Sequence, residues 1–170
     1  SKAFSSQTAS GAKIKLDWKE VSLSKNIGTI RGTLFHEIVA QCAYPYQEKD
    51  IIAYADSYGY TLKNHDIKQI LALNSNALYA SWMNEKHVFE QSYIIKEKNK
   101  VVHGFMDLVI YKEDEIIITD FKTDTTDNEN KLIDMYAAQL QTYKHSMERI
   151  TDSPIKTYVY AFSLFKCILL

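Results

Sequence analysis

The chain has 170 residues, 46% of them hydrophobic, which is enough for one domain with its own hydrophobic core. With a formal net charge of -1, the chain lacks the overall basic character of many nucleic-acid-binding proteins. No stretch has the length of a membrane span and no signal peptide opens the chain, so we expect a cytoplasmic protein without a membrane partner. Cys42 and Cys167 match no zinc spacing and are too few to ligate an iron–sulfur cluster, so we expect free thiols.

The first half of the chain is predicted to be helical. Residues 1–26 are rich in Ser, Lys and Gly and predict a leader or linker, in part disordered, before a single domain over residues 27–170. Apolar residues then recur at helical spacing, interrupted by residues that end or cap helices. The predicted helices cover residues 29–44, ended by Pro45; residues 48–60, stopped near Gly59; and residues 65–84, capped by Asn64.

The second half changes to the alternating pattern of strands. Strands are predicted over residues 87–96, 101–111, 115–122 and 155–164, with a long amphipathic helix over residues 131–150 before the last strand. A strand–helix–strand unit forms a right-handed crossover, so the third and fourth strands should be parallel. The sequence therefore predicts an α/β fold with a mixed central β-β-β-α-β sheet. Its third strand is central, helices flank it, and a helical segment precedes it.

Charged residues occupy the predicted hairpin "GFMDLVIYKEDEIIITDFKTD". A tight turn centred between Glu113 and Asp114 places Asp107 directly opposite Asp120, with Cβ atoms about 4.5–5.5 Å apart. Strand alternation puts Lys122 on the same face as Asp120. Opposed like charges destabilise a sheet unless they share a proton or a cation. The pattern therefore indicates either a divalent-metal site or a solvated sheet end with a salt bridge to Lys122.

Four motifs in order resemble the RecB-like nuclease domains of the PD-(D/E)xK superfamily, above all those that end bacterial AddA- and RecB-type helicase–nucleases. The hairpin resembles the family's Gly-x-x-Asp and Asp-x-Lys-Thr-Asp segments. "RGTLFHEIV" resembles its Gly-x-x-x-His helix, and "YAAQLQTYKHSM" its Gln-x-x-x-Tyr helix. The closing "YVYAFSLFKCILL" is similar to its terminal strand. The resemblance covers about residues 28–170 and implies a restriction-endonuclease-like core.

The resemblance implies roles for the residues of these motifs. Asp107, Asp120, the backbone carbonyl of Phe121 and His36 would hold Mg²⁺ or Mn²⁺, and the imidazole favours Mn²⁺ somewhat. Asp107, Asp120 and Lys122 would be catalytic. Lys122 would either activate the attacking water or stabilise charge on the phosphate, and the residues alone leave both roles open. No iron–sulfur cluster and no organic cofactor are expected.

Further residues have both a functional and a structural interpretation. Gln139 and Tyr143 share one helix face and would contact the DNA or Lys122; the alternative is packing on the sheet. Glu90 would support the site or form a structural salt bridge. His103 is a reserve ligand or a surface residue, and Asp124 is expected to be a turn former.

The function implied is hydrolysis of DNA phosphodiester bonds by a metal-dependent nuclease. An exonuclease is favoured over a sequence-specific endonuclease. The expected context is bacterial double-strand break repair and recombination, with DNA ends as substrate, a helicase portion in the same polypeptide, and a partner nuclease/helicase subunit. Two alternatives remain: a stand-alone nuclease of phage or mobile-element origin, and a catalytically inactive DNA-binding or scaffolding module.

Overall fold

The computed structural model describes residues 27–125 and 127–170, apart from the side chains of residues 27–29 and 97. The predicted leader, residues 1–26, lies outside the described residues, so the boundary of the domain stays a prediction. None of the described helices has the length and apolar character that a membrane span requires.

Within the described residues, five strands form one mixed sheet. They are β1 (Lys86–Glu97), β2 (Lys100–Tyr111), β3 (Ile116–Lys122), β4 (Ile155–Ala161) and β5 (Lys166–Leu169), side by side in that order. Strand β2 is antiparallel to β1 and β3, β3 is parallel to β4, and β4 is antiparallel to β5. The predicted α/β fold with a central third strand in a mixed sheet is confirmed.

In the part of the chain that the structure describes, five α-helices surround the sheet. They are α1 (Ile27–Gln41), α2 (Glu48–Ser57), α3 (Asn64–Leu71), α4 (Ala77–Met83) and α5 (Glu129–Glu148). The prediction of one helix over residues 65–84 is wrong, because a 3₁₀ turn separates α3 from α4. The Asn76 side chain accepts the Tyr79 N–H at 2.9 Å and so caps a new helix. The predicted Asn64 cap is also wrong: Lys63 precedes α3, and its N–H donates to the Asp66 carboxylate at 3.2 Å.

The last predicted strand, residues 155–164, ends early at Ala161, and a reversal leads from it into a further strand that was not predicted. Strand β4 ends at Ala161, a 3₁₀ turn follows, and Phe165 takes a left-handed backbone conformation with φ of 54° before β5 begins. A reversal of this kind usually contains Gly or Asn, which tolerate positive φ. The sequence lacks that signal here.

The sheet lies between two hydrophobic layers. On one face, α1–α4 pack Phe35 and Ile38 against Leu108 and Phe121 of the sheet. The other face packs against α5. Its buried residues include Val109, Ile118 and Val159 from the sheet and Leu140, Tyr143 and Met147 from the helix. Each fully buried large side chain contributes roughly 1.5–3 kcal/mol, so both layers hold β3 firmly in place.

Candidate active site

The hairpin between β2 and β3 has the predicted register. The Lys112 N–H donates to the Glu115 carbonyl at 3.0 Å and closes the turn. Ile110 pairs with Ile117, as the symmetric turn predicts. Because the turn fixes the register, residues equally far from it on the two strands lie opposite each other.

Two buried carboxyl groups meet where this hairpin opens. The backbone ladder ends at the Leu108–Thr119 pair, one step before Asp107 and Asp120. Asp107 and Asp120 are only 8% and 2% exposed, and they lie near enough for the charge of Asp107 to raise the pKa of the Asp120 carboxyl. Asp107 Oδ2 also accepts a hydrogen bond from the Phe121 N–H at 2.8 Å. In a regular ladder, a backbone carbonyl of β2 would accept that hydrogen bond. The opening of the two strands therefore makes room for Asp107.

The side chains of β2 switch from one face of the sheet to the other at Asp107. Strict alternation would place Leu108 and Met106 on the same side of the sheet. Leu108 instead belongs to the layer under α1–α4, and Met106 to the layer under α5. Asp107 therefore lies at the point where the side chains of β2 change from one face of the sheet to the other.

Strand β1 exchanges faces at the same level. Glu90 has a φ of 56° and lies across from Asp107 in the register. Phe89 packs on the α1–α4 side, whereas Tyr93 packs on the α5 side. A left-handed residue other than Gly costs about 1–2 kcal/mol, so surrounding contacts must hold Glu90 in this conformation. Glu90 thus lies inside the sheet beside the candidate site, and its role stays a prediction.

His36 reaches Asp107 from helix α1. Its Nε2 lies 2.9 Å from Asp107 Oδ2, and its Nδ1 lies 2.7 Å from the Gly32 carbonyl oxygen one turn earlier. A carbonyl can only accept, so Nδ1 carries a proton. Nε2 is left as the atom that faces the carboxylates.

Lys122 is held by three groups. Its Nζ lies 2.6 Å from Asp120 Oδ2, 3.1 Å from Gln139 Oε1 and 3.9 Å from the centre of the Tyr136 ring. The Tyr136 hydroxyl in turn donates to Asp124 at 2.8 Å. A carboxylate, an amide oxygen and an aromatic face all stabilise an ammonium ion. The position of Lys122 Nζ beside Asp120 is therefore fixed from three directions.

A second layer of contacts fixes Gln139. Its Nε2 donates to the Tyr143 hydroxyl at 2.9 Å, and the fully buried Tyr143 ring lies 5.3 Å from the Tyr93 ring. Gly104 lies directly under Tyr93, because a Cβ there would be 2.6 Å from the Tyr93 hydroxyl oxygen. The glycine of the Gly-x-x-Asp segment thus leaves room for the ring that supports α5.

Arg31 ties α1 to the segment that follows Lys122. Its guanidinium donates to the Thr123 carbonyl at 2.9 Å, to Asp66 at 2.8 Å and to Gln69 at 2.9 Å. Gly32 permits this approach, since a Cβ there would lie 3.0 Å from Thr123 Oγ1. Helix α1 therefore positions both His36 and the end of β3.

Burial and like charge keep protons in the site. Burial raises the pKa of the Asp120 carboxyl to about 8; the charge of Asp107 adds to this and that of Lys122 opposes it. Burial opposes the charged form of His36, but the charge of Asp107 and the hydrogen bonds to Asp107 and Gly32 outweigh it and raise the His36 pKa to about 9. At neutral pH the metal-free site therefore holds an imidazolium and a carboxyl pair that retains a proton.

The chemistry of the donor set fits a divalent cation. Within residues 27–125 and 127–170, no three His, Cys, Asp or Glu side chains are arranged as a ready-made metal site. His36 Nε2 is instead hydrogen-bonded to Asp107, and the charge of Asp107 acts on the Asp120 carboxyl. Two carboxylates suit Mg²⁺ or Mn²⁺, and an imidazole whose Nδ1–H donates to a carbonyl is the usual form of a histidine ligand. The part of the Phe121 carbonyl stays a prediction.

Comparison with known proteins decides the family. Residues 11–165 match the family model of the PD-(D/E)XK nuclease superfamily, which is most of the chain. The chain belongs to this superfamily. PD-(D/E)XK nucleases generally use divalent metals.

The curated relatives include several proteins named as subunits of an ATP-dependent helicase/nuclease. The protein of Syntrophomonas wolfei is 29% identical over 56% of this chain and 9% of its own length. That of Ligilactobacillus salivarius is 37% identical over 44% of this chain and 6% of its own length. That of Staphylococcus saprophyticus is 24% identical over 76% of this chain and 11% of its own length. This PD-(D/E)XK chain thus spans only a small part of each relative.

Two contributors to the site were missed in the sequence. Tyr136 lies three residues before Gln139, a spacing that places both on one helix face. Arg31 directly precedes the Gly-x-x-x-His segment. Of the secondary candidates, His103 is exposed on β2 and Asp124 accepts the Tyr136 hydroxyl. Cys42 and Cys167 have free thiols.

Proposed function

We propose that this chain is a divalent-metal-dependent nuclease that hydrolyses DNA phosphodiester bonds. One observation carries the proposal: Asp107, Asp120 and Lys122 of the two strands meet at one buried point, and His36 reaches the same point from helix α1. A catalytically inactive member of the family has little need to keep two carboxyl groups and an ammonium together in a buried place.

We propose that His36, Asp107, Asp120 and the Phe121 carbonyl hold Mg²⁺ or Mn²⁺, with some preference for Mn²⁺. A bound divalent cation would lower the pKa of water and draw charge from phosphate oxygens. Binding of the cation would release the protons that His36 and the carboxyl pair hold, because ligand atoms must be deprotonated.

Lys122 would act on the phosphate. The carboxyl group of Asp120, the amide oxygen of Gln139 and the ring of Tyr136 all hold its Nζ in place. An ammonium held in this way is a hydrogen-bond donor, suited to a phosphate oxygen that gains negative charge in the transition state. We therefore favour charge stabilisation over activation of water as the role of Lys122.

The biological context follows from the relatives rather than from the site. They are named as helicase/nuclease subunits, and the chain matches at most about a tenth of the three quoted above. We propose that this chain is the nuclease part of such an enzyme. It would act on DNA ends in bacterial double-strand break repair and recombination, with a helicase in the same polypeptide and a second subunit. An exonuclease in the cytoplasm is the expected form. A stand-alone phage or mobile-element nuclease is the alternative, and the length of the parent gene separates the two.

A cleavage assay tests the enzymatic proposal. Linear single- and double-stranded DNA would be incubated with the protein and Mn²⁺, Mg²⁺ or EDTA. We expect cutting only with a metal, and almost complete loss in Asp120→Ala and Lys122→Ala. Asp114→Ala, in the exposed hairpin turn, is the matched control and should cut normally. Cutting in EDTA, or undiminished cutting by both site variants, would refute the proposal. Binding without any cutting by the parent would favour the inactive module.

A further inference from the structure

The β1–β2 hairpin continues well beyond the candidate site. Residues 91–106, here called the arm, follow the level at which both strands exchange faces. The inner face of the arm packs on α5 through buried side chains, Tyr93, Ile95 and Met106, which lie in the same hydrophobic layer as Tyr143. The arm is therefore held in a fixed direction relative to the carboxyl pair.

The outer face of the arm is apolar and exposed. Ile94 is 70% exposed and Val101 is 60% exposed, and they lie two register levels apart on the same face of the two-stranded arm. His103 pairs with Ile94 across the strands, and its ring lies 5.4 Å from the ring of Phe105. Phe105 is two residues from Asp107, so this face begins beside the site. Exposed apolar and aromatic side chains gathered on one short ribbon indicate a contact surface.

The tip of the arm is basic. Lys96, Lys98 and Lys100 fall within five residues and are all exposed, and Glu97 is the sole carboxylate in the sequence of the arm. This charge contrasts with that of residues 111–135, which contain eight carboxylates and only three lysines. Three lysines next to exposed rings and aliphatic groups match a strand of nucleic acid, in which phosphates alternate with bases that stack.

We propose that the outer face and tip of the arm bind one strand of the nucleic-acid substrate as it extends from the site. This inference rests on the proposed nuclease function and adds where the substrate runs. From Asp107 to the level of Lys96 and Val101 is six residues, or about 20 Å at the rise of a strand. A strand covers about 3.4 Å per nucleotide when stacked as in a duplex and up to roughly twice that when extended, so the arm spans about three to six nucleotides. A shorter piece of DNA can fill the site without reaching the tip.

Length-dependent binding tests the inference. The full chain would be titrated in EDTA, where no cleavage is expected, with fluorescent single strands of 2 and 20 nucleotides. Lys96→Gln/Lys98→Gln/Lys100→Gln should weaken binding of the long strand about tenfold, and reduce the slope of log K against log salt by about two. The short strand should bind as it does to the parent. His103→Ala should weaken the long strand severalfold through lost stacking.

The matched control removes three exposed lysines elsewhere, in Lys49→Gln/Lys63→Gln/Lys68→Gln. It should bind both strands like the parent, and circular dichroism should show all variants folded. Equal loss in the arm and control variants, unchanged binding by the arm variants, or no binding by the parent would overturn the inference. Unchanged binding would assign the exposed face to a protein contact instead. Binding that depends on the arm lysines, without metal-dependent cleavage by the parent, would support the inference about the arm and refute only the proposed nuclease function.

Discussion

The Nε2 atom of His36 lies 2.9 Å from Asp107 Oδ2, while its Nδ1 is hydrogen-bonded to the Gly32 carbonyl at 2.7 Å. This relationship joins helix α1 to the β2–β3 hairpin at one atom of one carboxylate. It also fixes the orientation of the ring before any metal arrives. Preorganised ligands lose little freedom when they bind a cation, so His36 should matter most for metal affinity.

His36→Gln should therefore raise the Mn²⁺ concentration needed for half-maximal cleavage by at least about tenfold. Activity at saturating Mn²⁺ should fall much less, because the carboxylates and Lys122 remain. Metal titration of the cleavage rate measures both quantities. His145→Gln, an exposed histidine on α5, is the control. An unchanged Mn²⁺ requirement would show that His36 serves only to hold Asp107.

The hairpin constellation could be predicted from the sequence because one local feature decides it. A symmetric turn sets the register of both strands, and the register brings Asp107, Asp120 and Lys122 together. The positions of His36 and Gln139 depend on packing between distant elements. For those, the resemblance to a known family supplied what spacing alone could not.

The irregular features were beyond prediction for a physical reason. Glu90 and Phe165 both have positive φ, with values of 56° and 54°, at residues that normally avoid it. Each is held by its surroundings rather than by its own preference, so no local signal marks the face exchange or the reversal before β5. Arg31 was missed because its partners lie far away in sequence, Asp66 on α3 and Thr123 after β3.

The metal-free protein should lose stability as pH rises. The pKa of Asp120 is raised from 3.8 to about 8, and that of His36 from 6.5 to about 9. Each group in the folded state keeps a proton that the unfolded chain has released, so its contribution is complete below the unfolded pKa. It is lost as pH rises through the folded pKa. The free energy of unfolding in EDTA should therefore fall from about pH 5 to 9, by up to about 1.4 kcal/mol per pH unit for each group.

Asp120→Asn separates the two groups. The amide stays neutral, so the fall between about pH 5 and 6.5 should disappear, while the fall from His36 at higher pH remains. Denaturant unfolding in EDTA at half-unit pH steps measures the difference between variant and parent. Asp114→Asn, in the exposed turn, should follow the parent curve. Parallel curves for the parent and Asp120→Asn would contradict a proton held by the carboxyl pair.

Gln139 has two possible roles, to position Lys122 or to contact the DNA. Gln139 Oε1 accepts a hydrogen bond from Lys122 Nζ at 3.1 Å, so Gln139→Leu should release the ammonium from its position. We expect kcat to fall roughly 10- to 100-fold with little change in KM, because the loss is one of positioning. A rise in KM with kcat preserved would instead indicate that Gln139 contacts the DNA. Gln141→Leu, exposed on the same helix, is the matched control.

Tyr136 tests the same arrangement from the other side. Tyr136→Phe keeps the ring over Lys122 and loses only the hydrogen bond to Asp124, whereas Tyr136→Leu also removes the aromatic face. Tyr136→Leu should therefore lower kcat more than Tyr136→Phe. Equal effects of the two changes would assign the contribution to the Asp124 hydrogen bond.

Arg31 should be a stabilising residue that also affects activity. Its guanidinium is 16% exposed and pairs with the carboxylate of Asp66, which is 2% exposed. Arg31→Ala leaves that charge and the Thr123 carbonyl without this donor, which should cost about 2–4 kcal/mol of unfolding free energy.

The double variant Arg31→Ala/Asp66→Ala should cost less than the sum of the two single changes, because it removes both charges. Denaturant unfolding measures these costs, with Arg149→Ala, exposed after α5, as the control. Since Thr123 directly follows Lys122, kcat should fall in Arg31→Ala even under conditions where the variant is fully folded. A cost within about 0.5 kcal/mol of the control, the range of ordinary surface substitutions, would mean that α1 does not hold the end of β3 through Arg31.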